Sequence, residues 1–435
     1  MRIKLLVLAL MAAASPLAAQ SPDSTRPTVT LEEAIALSLR TQPGVIQAQA
    51  AVNNASARVR SAKGAWLPSL DLSATGNQNY SGVPSRVDPN TGLAVGSSSG
   101  SINTSLRSSI TLFDGFQRSA DSKSARASET AADASLVNAR YQQRLTTTNQ
   151  FLDARAAAEL VSVRQASVNR AEEQLKVSIN KLNAGSATRS DSLRSRVTLG
   201  TAQLQLIQAQ ASLATAEAGL ARLIGVTGRV AAADDSSFSH VMTTPLDTAA
   251  LRTEAEAASP QVQAAQASAA AARAGITSAR SGYWPTLSLS GNLGLSGSSS
   301  RDYSFYDSRG ASLSLSWPIF NRFQREQSIN SAENASLTAE AQAADAARQV
   351  SASLTSQLAT LDAARTQIEI TQVSVRAAEE DLRVQQERYR LGASTIVDIL
   401  TSQEALDQAE VDAVNARFSY LRAKAQLEAL IGRTL

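Results

Sequence analysis

Residues 354–392 read LTSQLATLDAARTQIEITQVSVRAAEEDLRVQQERYRLG. Within them Leu354, Leu361, Ile368, Val375, Leu382 and Tyr389 stand seven residues apart, and Gly392 closes the series. A period of about 3.5 residues, slightly short of the helical ~3.6, holds an apolar seam against a partner when helices supercoil left-handedly. No glycine or proline interrupts Arg322 to Leu391, so one helix is expected throughout. Roughly 65 residues at about 1.5 Å each make a rod of roughly 100 Å. Glycine suits a helix C-terminus, and a returning helix is expected from Thr395 to Leu430. The predicted unit is a helical hairpin over 322–431 with its tip near 392.

The same hairpin occurs earlier in the chain. Phe113, Phe116, Gln117 and Arg118 reappear 207 residues later as Phe320, Phe323, Gln324 and Arg325. Without a gap, Gly185 falls on Gly392, Asp191 on Asp398, and Leu223-Ile224-Gly225 on Leu430-Ile431-Gly432. Val161, Val168, Leu175 and Leu182 carry the seven-residue spacing there, which places the first hairpin at 116–224 with its tip near 185. Upstream, Pro43 to Leu72 lies over Pro260 to Leu289 at a spacing of 217, through Val45/Val262, Pro68/Pro285 and Leu70/Leu287. A duplicated unit follows, 20–225 and 247–435, with a linker at 226–246.

Each copy starts with helices. Thr30 and Glu33 have capping-box spacing, and Pro43 and Pro260 separate an entry segment from the next helix. Strands come next. Leu287, Leu289, Leu293 and Leu295 alternate with serine, asparagine and glycine, and so do Leu313, Leu315 and Trp317. Leu70, Leu72 and the run Ile102 to Leu112 read the same way in the first copy. Period two gives one apolar and one polar face. The expected β-hairpins span 67–113 and 285–320, joined by loops rich in serine, glycine, aspartate and asparagine.

Composition excludes several functions. The chain has 435 residues, no cysteine and a single histidine, His240. Disulfides, thiol chemistry and cysteine-ligated metals are therefore out. No carboxylate pair, nucleophile–base set or phosphate loop stands out, so neither an enzyme nor a cofactor is expected. His240 reads as a loop residue without a special role. Arg2 and Lys4, an apolar run from Leu5 to Ala14, and Ala18-Ala19 have the order of a secretory signal peptide at 1–19. Without those two cations, 41 basic against 38 acidic residues becomes 39 against 38. The basic balance thus gives no reason to expect nucleic acid as a partner.

Two copies supply four amphipathic strands. Open edges are not tolerated in lipid, and the smallest membrane barrels have about eight strands. A membrane location therefore demands oligomerisation, and three copies give twelve strands. Trp66, Phe113, Phe116, Tyr283, Trp284, Trp317, Phe320 and Phe323 cluster at the strand–helix junctions, with Tyr80, Tyr303, Phe305 and Tyr306 at the far ends. Aromatic girdles at both interfaces are expected of outer-membrane barrels.

These motifs resemble those of the TolC-type outer-membrane efflux channel family. Thr30-Leu31-Glu32-Glu33-Ala34 with Thr41-Gln42-Pro43 is similar to its opening helix and turn, and Trp66-Leu67-Pro68 to its strand entry. Leu112-Phe113-Asp114-Gly115 and Trp317-Pro318-Ile319-Phe320-Asn321 resemble its strand exit, and Tyr389-Arg390-Leu391-Gly392 with Thr395 and Asp398-Ile399-Leu400 its tip. The resemblance implies a mixed α and β membrane protein. Its trimer joins a twelve-stranded outer-membrane β-barrel to a long periplasmic α-helical coiled-coil barrel, with the linker in an equatorial belt. It implies a Gram-negative-type outer membrane with its lipid, a periplasmic adaptor, and an inner-membrane pump of proton-driven or ABC type. Asp398, Asp191 and Thr401 then belong to an entrance ring, where carboxylates favour cations. Tyr389 and Ser394 fall at the tip latch, with serine where the family has arginine. Gly185, Ser186, Leu391, Gly392, Ala393 and Ser394 become adaptor-docking residues. Asn321-Arg322 and Phe116 depart from a common glycine pair. The competing readings are a structural coiled-coil protein of the surface or periplasm without transport, and a periplasmic adaptor.

Overall fold

The computed structural model describes residues 26–80, 86–87, 89–90, 94–95, 98–234, 248–298 and 304–435. The leader at 1–19, His240 and Tyr303 lie outside these residues. The first copy comprises β1 (Thr28–Val29), α1 (Leu31–Thr41), α2 (Pro43–Gly64), β2 (Ser69–Tyr80), β3 (Arg86–Val87), β4 (Ala94–Val95), β5 (Ser98–Phe113), α3 (Gln117–Asn183), α4 (Arg189–Ile224) and β6 (Ala231–Ala232). The second comprises α5 (Thr248–Ala258), α6 (Pro260–Arg280), β7 (Thr286–Ser298), β8 (Phe305–Ser316), α7 (Gln324–Arg390) and α8 (Ile396–Ile431).

Local chemistry sets these boundaries. The Glu33 carboxylate accepts from the Thr30 N–H at 3.0 Å, and the Thr30 hydroxyl accepts from the Glu33 N–H at 3.3 Å. Pro43 and Pro260 stand in the first turns of α2 and α6, where the missing N–H has no helical partner to lose. α3 and α7 are 67 residues each, which makes rods of roughly 100 Å. They start slightly later than the sequence pattern suggests. Phe116, Arg322 and Phe323 hold left-handed backbone at φ 65°, 57° and 61°, beside Gly115 at 64°. Both strand exits therefore keep a left-handed pair, although only one residue of the four is glycine.

The returning helices α4 and α8 have 36 residues each and accompany only the tip half of each rod. Along the strand half, α3 packs on α2 and α6, and α7 packs on α6. α3 also packs on α8, which joins the two hairpins into one layer ordered α4–α3–α8–α7 toward the tips. Ion pairs bind that central seam. Arg170 bridges Asp407 and Glu410, Arg417 pairs with Glu159, and Arg422 with Asp153.

Four strands form one antiparallel sheet ordered β2-β5-β7-β8. Its register puts Leu70, Leu72, Leu106, Leu293, Leu289, Leu313 and Leu315 on one face. The other face is hydroxyl-rich. Ser69 meets Ser109, Ser73 meets Ser105, and Ser290 meets Ser312, each at 2.8 Å. One ion pair breaks the leucine face: Asp307 and Arg309 lie opposite Leu295 and Leu293 and join at 3.1 Å. β2 and β8 are bare edges, exposed along their full lengths.

The dry core sits at mid-rod. Phe151, Leu220, Ile224 and Val230 enclose Ala34 in the first copy, where β1 and β6 also pair in parallel. Val350, Leu354, Leu427 and Ile431 enclose Leu251 and Val262 in the second. The linker's first residues, 226–234, therefore lie against the middle of α3, while 235–246 is outside the described residues. The seven-residue stripe of α7 is buried at Leu354, Leu361, Ile368, Leu382 and Tyr389 and half-buried at Val375. In α3 only Val168 of the expected stripe is buried, and Ala171, Gln174 and Ser178 are the deepest positions toward the tip. α3 is flanked on both sides, so small residues at its seams are buried in preference to one leucine stripe.

Candidate functional site: the helical tips and strand–helix junctions

The tips are built from their caps. Gly185 and Gly392 adopt φ of +72° and +80°. The Ser186 N–H donates to Lys181 O at 2.8 Å and the Ala393 N–H to Arg388 O at 2.7 Å, which closes each helix end in a Schellman turn. Nothing lies within 4 Å of where a Cβ would stand on either glycine. Within the chain, the left-handed turn alone requires glycine there. Asn183, Ala184, Ser186, Leu391 and Ala393 are exposed around these turns. Ser394 donates to Gln385 O at 3.2 Å, so it closes the end of α7 and makes no bond to the Tyr389 side chain.

Each returning helix then starts on a second capping box. The Asp398 carboxylate accepts from the Thr395 N–H at 2.7 Å and from its hydroxyl at 2.8 Å. Asp191 accepts from the Thr188 N–H at 2.8 Å. The Thr395 backbone N–H, and then its hydroxyl, hold the Asp398 carboxyl below the usual carboxylate range. Asp398 and Thr401 are both exposed.

The two tips touch through a lysine. Lys181, on α3, donates its ammonium to the Tyr389 carbonyl on α7 and lies 3.9 Å from the centre of the Tyr389 ring. Tyr389 itself is buried with Leu382, Ile396, Ile399 and Leu406. Burial pushes its hydroxyl pKa up; the Ser178 hydroxyl opposes that rise and the Asp191 charge adds to it. The first tip has a different interior, in which Ser178 and Ser195 share a buried bond at 2.9 Å. Among the described residues no three histidine or carboxylate side chains could hold a metal ion.

At the opposite ends of the rods the aromatic residues gather. Phe113–Phe116 and Phe320–Phe323 form edge-on pairs at 5.8 and 5.6 Å, one per copy. Arg118 lies 4.4 Å over Trp66, and Arg325, at the matched position, 4.1 Å over Tyr283. Arg118 also pairs with Asp114 at 2.7 Å, while Arg325 donates to Pro318 O at 3.3 Å. Trp317 donates to Tyr283 O at 3.2 Å. Trp66, Phe116, Trp284, Trp317, Phe320 and Phe323 are nonetheless more than half exposed, with Tyr283 close behind. Among the described residues no helix is long and apolar enough to cross a membrane.

The model of the outer membrane efflux protein family matches residues 34–226 and 251–433, most of the chain in two blocks. The chain belongs to the outer membrane efflux protein family. It is accordingly an outer-membrane protein, in a family of transport channels and not of enzymes. Outer membrane protein TolC of Escherichia coli K12 is 25% identical over 304 residues, which is 66% of this chain and 61% of TolC. The match thus spans less than two thirds of that relative. The outer membrane protein VceC of Vibrio cholerae superposes with a TM-score of 0.74 at 19% identity, over 93% of this chain and 96% of its own. The open-state MtrE outer membrane channel of Neisseria gonorrhoeae gives 0.75 at 20% identity, over 93% and 89%. CusC gives 0.76 at 16%, over 93% and 92%. The family fold is therefore present along nearly the whole described chain.

The tip lysine and the junction arginines of this family member went unread in the sequence. Lys181 meets a residue 208 positions away, so no local pattern marks it. Arg118 and Arg325 did leave a signal, since both occupy the same place in the duplicated unit.

Proposed function

We propose that three copies of this chain form an outer-membrane exit duct. The observation that carries the reading is the sheet: four strands, both edges bare, with one leucine face and one serine face. Unpaired edges in lipid cost several kcal/mol per backbone group, and three such sheets joined edge to edge make a closed twelve-stranded barrel. The leucine face then meets lipid, the serine face lines the lumen, and the junction aromatics sit at the periplasmic interface. The helical layer supports the same count. α4 presents Leu193, Val197, Leu204 and Ile207, and α7 presents Leu337, Ile370 and Val373, all more than half exposed on the two outermost helices. In a ring, the α4 stripe of one copy covers the α7 stripe of the next. The mid-rod β1–β6 ladder and residues 226–234 form the belt.

The tips form the periplasmic entrance. Asp398 and Asp191, with Thr401, ring the opening, and their charge favours cations. Lys181, holding Tyr389, latches the two hairpins of one copy in place of the arginine the family uses. The exposed turns at Gly185–Ser186 and Leu391–Ser394 dock a periplasmic adaptor, which couples the duct to an inner-membrane pump of proton-driven or ABC type. The pump sets the substrate. The test is purification from outer membranes followed by heat-modifiable electrophoresis and planar-bilayer recording. Trimers that dissociate only on boiling, with discrete conductance steps, are expected. A monomer without conductance would overturn the proposal.

A further inference from the structure

A polar cavity of about 420 Å³ opens between α3, α4 and α8, a few turns from the tips. Arg164 and Arg170 reach it from α3, Arg194 and Val197 from α4, and Leu400 and Gln403 from α8. Its charges are unevenly paired. Arg170 is satisfied by Asp407 at 2.6 Å and by Glu410, and Asp407 also accepts from Ser167. Among the described residues neither the Arg164 nor the Arg194 guanidinium has an ion pair or hydrogen bond, and of the two lining carboxylates Glu404 is the one without a partner. With Glu410 counted beside Arg170, three guanidiniums face three carboxylates, so what the cavity offers an anion is the pair of unpartnered guanidiniums, Arg164 and Arg194, and not a net charge.

Gln403 supplies the second observation. It is only 5% exposed, lines the cavity, and neither its amide nitrogen nor its amide oxygen has a hydrogen-bond partner. A buried amide with both groups unsatisfied is costly unless something occupies the space beside it. Leu400, Val197 and Ala202 give the same cavity an apolar wall. Its volume is within the usual range for small-molecule sites.

We infer that this cavity binds small organic anions with an apolar body, such as aromatic or short aliphatic carboxylates. The acid group takes the Arg164 and Arg194 guanidiniums, Gln403 donates to it from the side, and the body lies on Leu400 and Ala202. The cavity stands on its own residues and does not require the duct reading. Thr401, which also lines it, would place the bound anion beside the proposed entrance.

The test is titration of the full chain in detergent with benzoate, and with neutral benzamide as its isostere, by calorimetry. One saturable benzoate site per chain is expected, with benzamide about tenfold or more weaker, since a charge-assisted bond is worth at least that factor. Joint Arg164→Gln and Arg194→Gln substitution is expected to weaken benzoate about tenfold or more. Glu404→Gln is expected to tighten it by removing a like charge, an effect that misfolding cannot imitate. Absence of saturable binding, equal binding of benzamide, or unchanged affinity in the arginine pair and in Glu404→Gln would overturn the inference. Inorganic phosphate competing as well as benzoate would overturn the requirement for an apolar body. A conducting trimer that ignores benzoate loses the cavity site and keeps the duct; a benzoate-binding chain that never conducts does the reverse.

Discussion

Asp398 carries a local and a global task in the same carboxylate. Its bonds to Thr395 start α8, and its charge faces the proposed entrance. Those bonds set its folded pKa below the ordinary ~3.9. Its ionised form therefore stabilises the tip fully above that ordinary value, and the contribution is lost as pH falls through the lower folded one. The charge persists at pH 5, so cation selectivity is expected to be the same at pH 7 and pH 5. Asp398→Asn keeps an acceptor for the Thr395 N–H and removes the charge. The reversal potential in a salt gradient should then move toward zero, and an unchanged value would remove Asp398 from the ring. Lys181 is the second residue with a single clear test. Lys181→Gln loses both the ammonium bond and the cation–π contact to Tyr389. Single-channel conductance is expected to rise as the tips loosen, whereas wild-type conductance would show that the contact does not gate.

At the scale of elements, the duplicated hairpins share geometry but differ in chemistry. The α7–α8 tip is closed by Leu382, Tyr389, Ile396, Ile399 and Leu406, while the α3–α4 tip buries Gln174, Ser178 and Ser195. Apolar contact tolerates little hydration, and a hydroxyl seam can exchange its bonds for water. Hydrogen exchange is therefore expected to be faster in the α3–α4 tip than in the α7–α8 tip. Equal protection would argue that the serine seam is as tight as the leucine seam. The strand exits make a sharper demand. A Cβ on Gly115 would stand 2.3 Å from the Trp284 Cβ, with φ at +64° besides. Gly115→Ala must move that tryptophan or the turn, so a lower yield of folded protein in outer membranes and a lower unfolding temperature are expected. Gly392→Ala meets no atom and should lose only the left-handed preference, about 1–2 kcal/mol.

For the whole molecule, the exposed stripes decide the outcome. Ile207 and Leu204 on α4 are among the most exposed large apolar residues of the helical layer. Ile207→Glu puts a charge into the surface that the next copy is proposed to cover. Heat-modifiable trimers are expected to disappear while the circular dichroism of the chain stays helical. Persistence of the trimer would mean that the copies meet elsewhere. The ion pairs between α3 and α8 keep the two hairpins in one layer within a copy, so their role is distinct from that of the stripes between copies.

Much of this was legible in one dimension because the governing patterns are periodic. Seven-residue spacing, period-two strands, paired prolines and capping boxes act through neighbours in the chain, and duplication wrote each of them twice. The sheet order β2-β5-β7-β8, the Lys181–Tyr389 contact and the Arg170 bridge to α8 were not legible. Each joins residues from different copies of the repeat, and no local spacing encodes such a pairing. The αL pair at Arg322–Phe323 was hidden for a related reason: glycine would have announced it, and here the surrounding junction holds non-glycine residues in that conformation. The sequence by itself determined the rods, strands, turns and their duplication, because those follow from periodicity and backbone preference. The tertiary structure alone decided which faces meet, which charges remain unpaired beside Gln403, and which edges are left for another copy, because those depend on distances between segments far apart in the chain.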